Sequence, residues 1–185
     1  MEQVKILEKT AMLKGIIRAM LAESIRSPKD LSPATFVTNL NQLLCEQSMI
    51  PKIRGAMVHL DANNYSITTV CSGIPPLMHL KQGSKKTEFL ESANPPLGAE
   101  STVEFSSMNH TWNEGDFLIL HTFEQQKSFH SVENFSEGAQ EILKDFAMLS
   151  PKKCAEELHA SFEHMTQSSG VDEKPKTVFC LQKIT

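Results

Sequence analysis

The spacing of apolar residues changes along this 185-residue chain, and that change limits the folds it can adopt. Over residues 10–46, apolar side chains recur three and four positions apart, which predicts two amphipathic helices. Between residues 53 and 122 apolar and polar residues alternate, as in strands with one buried face. Helical spacing returns over residues 133–166. Residues 177–183 then predict a last strand.

Capping and turn residues mark the ends of these elements. A serine followed by proline, at Ser32 and at Ser150, is typical of a helix N-cap and first helical position. Residues 61–64 predict a turn between two strands. Residues 102–108 and 117–122 predict a further hairpin. The order predicts one α+β domain over residues 1–185, with an antiparallel sheet or sandwich flanked by helices.

The composition excludes several classes of function. The net charge of −4 and the lack of a basic stripe argue against nucleic-acid binding. No apolar run reaches the roughly 18 residues of a membrane span, so no membrane contact by this chain is expected. Four of the first nine residues are charged, which is unlike the apolar core of a signal peptide. We therefore expect a cytoplasmic protein, or the cytoplasmic part of a larger one.

The four cysteines are scattered at Cys45, Cys71, Cys154 and Cys180 and include no C-x-x-C pair. That pattern disfavours a disulfide framework or a zinc site and favours reduced thiols. Cys71 and Cys180 lie in apolar strands, where inert core thiols are expected.

The predicted penultimate helix carries Glu156, His159, Glu163 and His164. A Glu-x-x-His spacing occurs in di-iron bundles, but such a site needs a second helix of the same kind, which this chain lacks. Because His159 and Glu163 are four positions apart, an ordinary exposed pair is the favoured interpretation.

Four short motifs in a fixed order extend the prediction further. They are Leu40-Asn41-Gln42-Leu43-Leu44, Ser72-Gly73-Ile74-Pro75-Pro76, Asn94-Pro95-Pro96-Leu97-Gly98, and the run from Gly115-Asp116 to Thr122. They resemble the "LN..L", "AGHPP", "PLG" and "GD-x-LLLYT" motifs of PPM-type serine/threonine phosphatases of the RsbU/SpoIIE branch, in the C-terminal part of the domain. The resemblance assigns a scaffold role to Asn41, Gly73, Pro75, Pro76, Pro96, Gly98, Gly115 and Asp116.

The resemblance implies a β-sandwich flanked by helices, here lacking the N-terminal strands. Enzymes of this family hold Mn²⁺ or Mg²⁺ with aspartates at four points of the chain. The first point has no counterpart in this sequence, and Gln3 stands at the second. Phe123 stands at the third, and Lys174 begins the run Lys-Pro-Lys-Thr at the fourth. The remaining weak metal-ligand candidates are Glu124, Asp172 and Glu173.

We therefore expect a degenerate, non-catalytic module with no catalytic residues and no cofactor. By resemblance it binds a protein, either an anti-anti-sigma factor or another phosphatase subunit, in sigma-factor partner switching. One alternative is the C-terminal part of an active Mn²⁺- or Mg²⁺-dependent phosphatase acting on an anti-anti-sigma factor. Another is a dimeric interaction module, because absent first strands would leave sheet edges that tend to pair.

Overall fold

A computed structural model describes residues 2–26, 32–46, 52–84, 87–90, 94–122, 149–167 and 177–184. Within these ranges the chain forms three helices and seven strands. In chain order they are α1 (Glu2–Arg26), α2 (Pro33–Glu46), β1 (Gly55–Asp61), β2 (Ser66–Ser72), β3 (Leu77–Leu80), β4 (Thr87–Leu90), β5 (Met108–Thr111), β6 (Phe117–His121), α3 (Pro151–Gln167) and β7 (Val178–Gln182).

The strands form two sheets. One has three strands in the order β1-β2-β5, and the other has four in the order β4-β3-β6-β7. In the four-stranded sheet, β3 pairs antiparallel with both β4 and β6, and β6 pairs antiparallel with β7. The predicted α+β class, with antiparallel sheets and helices, is confirmed.

The chain divides into two compact units, the first comprising Met1–Leu60, Thr68–Gly73 and Ser92–Asn109. Its core forms around the apolar stripe of α2, as the three- and four-residue spacing predicts. Four residues of α1 pack against that core. The buried residues are Phe36, Val37, Leu40, Leu44, Val70, Leu97 and Phe105.

The second unit comprises Asp61–Ile67, Ile74–Glu91 and His110–Thr185. One face of its sheet packs on α3, because alternate strand residues point to the same side. The buried residues of this core are Met78, Leu80, Phe117, Ile119, Cys154, Leu158 and Phe162. Leu158 and Phe162 lie four positions apart, so both face the sheet from one side of the helix.

The predicted helix caps are confirmed. Ser32 Oγ accepts a hydrogen bond from the Thr35 backbone N–H at 3.1 Å, and the Ser32 carbonyl accepts from Phe36 N–H at 2.9 Å. At α3, Ser150 Oγ accepts from Lys153 N–H at 3.4 Å. The start of α1 differs from the prediction, because the helix begins at Glu2 rather than near residue 10.

The predicted strand over residues 102–108 is wrong. The strand in this region is β5, which joins β2, whereas β6 belongs to the other sheet. Phe105 N–H donates to Thr38 Oγ1 at 3.1 Å, and Ser106 N–H donates to Asn94 Oδ1 at 3.0 Å. Because side-chain oxygens accept these backbone hydrogen bonds, residues 105 and 106 do not pair with a neighbouring strand.

Other predictions lie outside the described residues. They include the helical stripe at residues 135–146. Of the helices that are described, none is long and apolar enough to cross a membrane. The prediction that residues 1–185 form a single domain stays a prediction.

Candidate functional site

Asn41 ties α2 to the loop that follows Leu97. Its side chain is 1% exposed. Its Nδ2 donates to the Glu100 carbonyl at 2.8 Å, and its Oδ1 accepts from Gly98 N–H at 2.8 Å. Gly98 has a φ of +74°, a left-handed conformation that favours glycine. The amide of Asn41 therefore has both a donor and an acceptor partner, as a buried polar group requires.

Gly73 is required by a close approach between two loops. Its φ is +61°, and an added Cβ would lie 2.8 Å from Pro96 Cγ and 3.2 Å from Arg54 Cγ. Its N–H donates to the Asn94 carbonyl at 3.2 Å. The glycine and the proline of two separate motifs thus lie against each other. Pro75, like its neighbour Pro76, is partly buried in the connection to β3.

Asn94 links three backbone segments, and although it begins the third motif it was not among the predicted scaffold residues. Its Nδ2 donates to the carbonyls of Cys71 at 2.9 Å and Ser106 at 3.0 Å. Nearby, Ser72 Oγ donates to the Pro95 carbonyl at 2.7 Å. The available signal was an asparagine immediately before a Pro-Pro pair, a residue type that commonly bonds to backbone.

Asp116 organises the turn before β6. It is 1% exposed. Its Oδ1 accepts from Gln82 N–H at 2.8 Å, and its Oδ2 accepts from Asn113 N–H at 2.9 Å. The same Oδ2 lies 3.2 Å from His79 Nε2. The preceding Gly115 has a φ of +82°, and an added Cβ there would overlap the Gln82 side chain. The Gly-Asp motif is therefore an organising element of the backbone.

His79 is the second residue that sequence reasoning missed. It is fully buried, and its ring centroid lies 6.0 Å from that of Trp112. Its Nδ1 lies 3.8 Å from Glu88 Oε2. The signal was a histidine within the apolar strand Leu77–Leu80. With no exposed surface on His79, this His-Asp pair holds structure and has no access to a substrate.

The pKa values of two groups near His79, namely Glu88 and His110, are lowered. A hydrogen bond from Lys81 Nζ at 2.6 Å lowers the pKa of Glu88. Burial lowers the pKa of His110, and the electrostatic interaction with His79 lowers it further.

The end of β6 is held to the start of β7. Thr122 N–H donates to the Thr177 carbonyl at 3.0 Å, and Thr177 N–H donates to Thr122 Oγ1 at 2.9 Å. By sequence, Phe123 directly follows the first of these threonines, and Lys174 lies three positions before the second. The third and fourth metal positions implied by the resemblance are therefore close in sequence to this pair of threonines.

The candidate metal ligands themselves lie outside the described residues. They are Glu124, Asp172 and Glu173. Across the described ranges, no three His, Cys, Asp or Glu residues are grouped so that they could hold a metal ion.

On α3, His159 Nδ1 lies 3.9 Å from Glu163 Oε2, and both side chains are more than a third exposed. Lys152 Nζ lies 3.9 Å from Glu156 Oε1 in the same way. This geometry agrees with a solvated helix face.

Comparisons with solved structures give the same fold. The chain aligns with the PP2C phosphatase domain of SpoIIE from Bacillus subtilis, solved with a fragment of its regulatory domain, at a TM-score of 0.68 and 15% identity. The alignment covers 94% of this chain and 49% of that one. For the RsbU and RsbW domains of a Mycobacterium tuberculosis protein, the TM-score is 0.66 at 16% identity, covering 95% and 49%.

The SiaA-PP2C domain of Pseudomonas aeruginosa aligns at a TM-score of 0.62 and 15% identity, covering 93% of this chain and 69% of that one. No curated protein sequence matches the chain. The family model for stage II sporulation protein E matches residues 9–173. This chain therefore belongs to the SpoIIE family.

Proposed function

We propose that this chain is a non-catalytic member of the SpoIIE family that acts in the cytoplasm by binding a protein. Its role is regulatory, in a sigma-factor partner-switching pathway or a related signalling pathway. It keeps the scaffold of a metal-dependent phosphatase and lacks the chemistry.

The observation that carries this proposal is the residue that follows Thr122. The resemblance places a metal-binding aspartate there, and this chain has Phe123. Hard divalent cations take oxygen ligands, which a phenyl ring cannot supply. Glu124 supplies a carboxylate, but it is one position away from the expected ligand.

The fourth ligand position supports the same conclusion. Lys174 and the following residues Pro175 and Lys176 stand where the family has paired aspartates. Two divalent cations about 4 Å apart repel strongly unless several carboxylates neutralise them. Added lysine charge increases that repulsion, so these residues do not fit a metal pair.

The ordered loops of the scaffold support a role in protein binding. The side chains of Asn41, Asn94 and Asp116 hold the motif loops through partly buried hydrogen bonds. Among the structural matches, the RsbU domain was solved in one chain with an RsbW domain, and a further match comes from the bacterial stressosome. A protein partner is the kind of ligand these relatives suggest, and an anti-anti-sigma factor is the first one to test.

The proposal is tested with two measurements on the same protein. With Mn²⁺ present, hydrolysis of p-nitrophenyl phosphate and of a phosphorylated anti-anti-sigma factor should stay at the buffer rate. In biolayer interferometry, the same anti-anti-sigma factor should bind saturably. Metal-dependent turnover well above background would overturn the non-catalytic proposal, and absence of binding to either phosphorylation state would overturn the proposed partner.

One observation favours an active phosphatase as the second candidate. Asp172 and Glu173 are carboxylates within two positions of the expected fourth ligand site. If they bind Mn²⁺ in an active enzyme, the double variant Asp172→Asn, Glu173→Gln should abolish turnover. The matched control is Glu156→Gln with Glu163→Gln on α3, which should leave turnover unchanged.

A further inference from the structure

Two of the four cysteines are in direct contact. Cys154 Sγ and Cys180 Sγ lie 3.8 Å apart, although 26 positions separate them in sequence. Cys154 belongs to α3 and Cys180 to β7, and both thiols are reduced. A disulfide has an S–S distance of about 2.05 Å, so the two sulfurs would have to approach by less than 2 Å.

We infer that Cys154 and Cys180 form a redox-active pair that a peroxide converts into an intramolecular disulfide. The pair lies in the core between α3 and the four-stranded sheet, where Val178 also packs. From the sequence, Cys180 is expected to be an inert core thiol because it lies in an apolar strand, and Cys154 is expected to be a reduced thiol. The fold supplies the proximity that the sequence does not show.

The surroundings of Cys154 make it the reactive thiol. It is the fourth residue of α3, and its N–H donates to the Ser150 carbonyl at 2.9 Å. A thiolate near a helix N-terminus is stabilised by the helix dipole. The Cys180 thiol donates a hydrogen bond to Cys154 Sγ, which lowers the pKa of Cys154 and raises that of Cys180.

The difference in solvent exposure between the two cysteines indicates from which side an oxidant reaches them. Cys154 is 1% exposed, whereas Cys180 is partly exposed on β7, the last strand in the sheet order. A small neutral peroxide can therefore reach the pair from the side of β7. A larger disulfide reagent could not enter as readily.

The reaction balances with hydrogen peroxide as the oxidant. The Cys154 thiolate attacks one peroxide oxygen, the O–O bond breaks, and hydroxide leaves as a sulfenic acid forms. The hydroxide takes up the proton that the Cys154 thiol released on ionisation and becomes the first water. The Cys180 thiol then attacks the sulfenyl sulfur, the S–O bond breaks, and water leaves with the Cys180 proton. The two thiols lose two electrons in total, and one peroxide is reduced to two waters. The product links β7 to α3.

The test is peptide mapping of the folded chain after treatment with a few equivalents of hydrogen peroxide. The expected product is a tryptic cross-link between Cys154 and Cys180 that dithiothreitol reverses. Oxidised protein should also melt several degrees higher than reduced protein, because the link constrains the unfolded chain. Persistence of four reduced thiols, or preferential linkage of any other cysteines, would overturn the inference.

Matched variants separate this chemistry from nonspecific oxidation. Cys180→Ser should lose the cross-link and accumulate sulfenic acid on Cys154, which is trapped as a dimedone adduct when the oxidised protein is unfolded in the presence of dimedone. Cys45→Ser should keep the cross-link at the wild-type level. A dimedone adduct no greater on Cys154 than on Cys45 in the Cys180→Ser protein would contradict the assigned order of steps. The wild-type map decides the existence of the pair even where a variant fails to fold.

Discussion

The loops at residues 73–76 and 94–98 keep most of the residue types of the family motifs, whereas the chain next to the ends of β6 and β7 does not. In the loops, Asn41, Gly73 and Gly98 match the family motifs, and their contacts explain why those residue types are needed. At the strand ends, Thr122 and Thr177 are joined as the scaffold requires, while Phe123 stands where a metal ligand is expected. The contrast shows that the scaffold residues of this fold are needed for reasons separate from the metal chemistry.

The largest expected effect is at Asp116. Asp116→Ala would leave two backbone N–H groups and His79 without their acceptor in a buried site, so we expect a loss of about 3–5 kcal/mol in the free energy of unfolding. Urea denaturation measures it. Asp61→Ala is the control, because Asp61 also accepts two backbone N–H bonds but in an exposed turn. Equal losses in the two variants would refute a buried organising role.

A smaller loss is expected at Gly73. Gly73→Ala combines a left-handed backbone with a contact to Pro96, so we expect about 2–4 kcal/mol of destabilisation. Gly83→Ala is the matched control, since Gly83 has a φ of +73° and no atom within 4 Å of an added Cβ. Thermal denaturation should place Gly83→Ala between the wild type and Gly73→Ala. If the two glycine variants melt together, the close approach contributes nothing.

Asn41→Ala removes one hydrogen bond to the Gly98 N–H and one to the Glu100 carbonyl. Because both bonds are partly buried, we expect a cost of about 1–3 kcal/mol in urea denaturation. Asn63→Ala, in the exposed turn after β1, serves as the control and should change stability by less than about 0.5 kcal/mol. An Asn41 variant as stable as this control would show that the motif asparagine is dispensable.

The smallest effect is expected at the joined strand ends. Thr122→Val removes the acceptor for Thr177 N–H but leaves the backbone bond between the same residues. Since Thr177 is exposed, water can replace the lost partner, and we expect about 0.5–1 kcal/mol or less. A loss as large as that of Asn41→Ala would erase the contrast between the two regions.

The sequence was sufficient where local rules and burial agree. The apolar stripe of α2 and the Ser32 cap are examples, because spacing and capping chemistry are local. The sequence was insufficient for predicting structure where side chains far away along the chain bind the local backbone. Residues 105 and 106 lie in a segment predicted as a strand, but their backbone N–H groups donate to the side chains of Thr38 and Asn94. The partnership of His79 with Asp116, 37 positions away, likewise follows only from strand pairing.

The same distinction between local and distant interactions applies to the candidate site. Motif order predicted a scaffold role for eight residues, and the contacts of Asn41, Gly73 and Asp116 became visible only in the structure. Asn94 shows the limit, since nothing in its sequence neighbourhood specifies that it joins the carbonyls of Cys71 and Ser106. The Cys154–Cys180 contact is a second example, because it depends on α3 packing against β7.

The most direct test of the account is an isothermal titration of the folded chain with Mn²⁺. Our proposal predicts no saturable heat, because the residues at the third and fourth positions cannot supply a carboxylate cage. The double variant Asp172→Asn, Glu173→Gln should give the same trace as the wild type. Saturable binding of one or two Mn²⁺ ions per chain, lost in that variant, would contradict the central claim that this SpoIIE-family member has no metal-dependent chemistry.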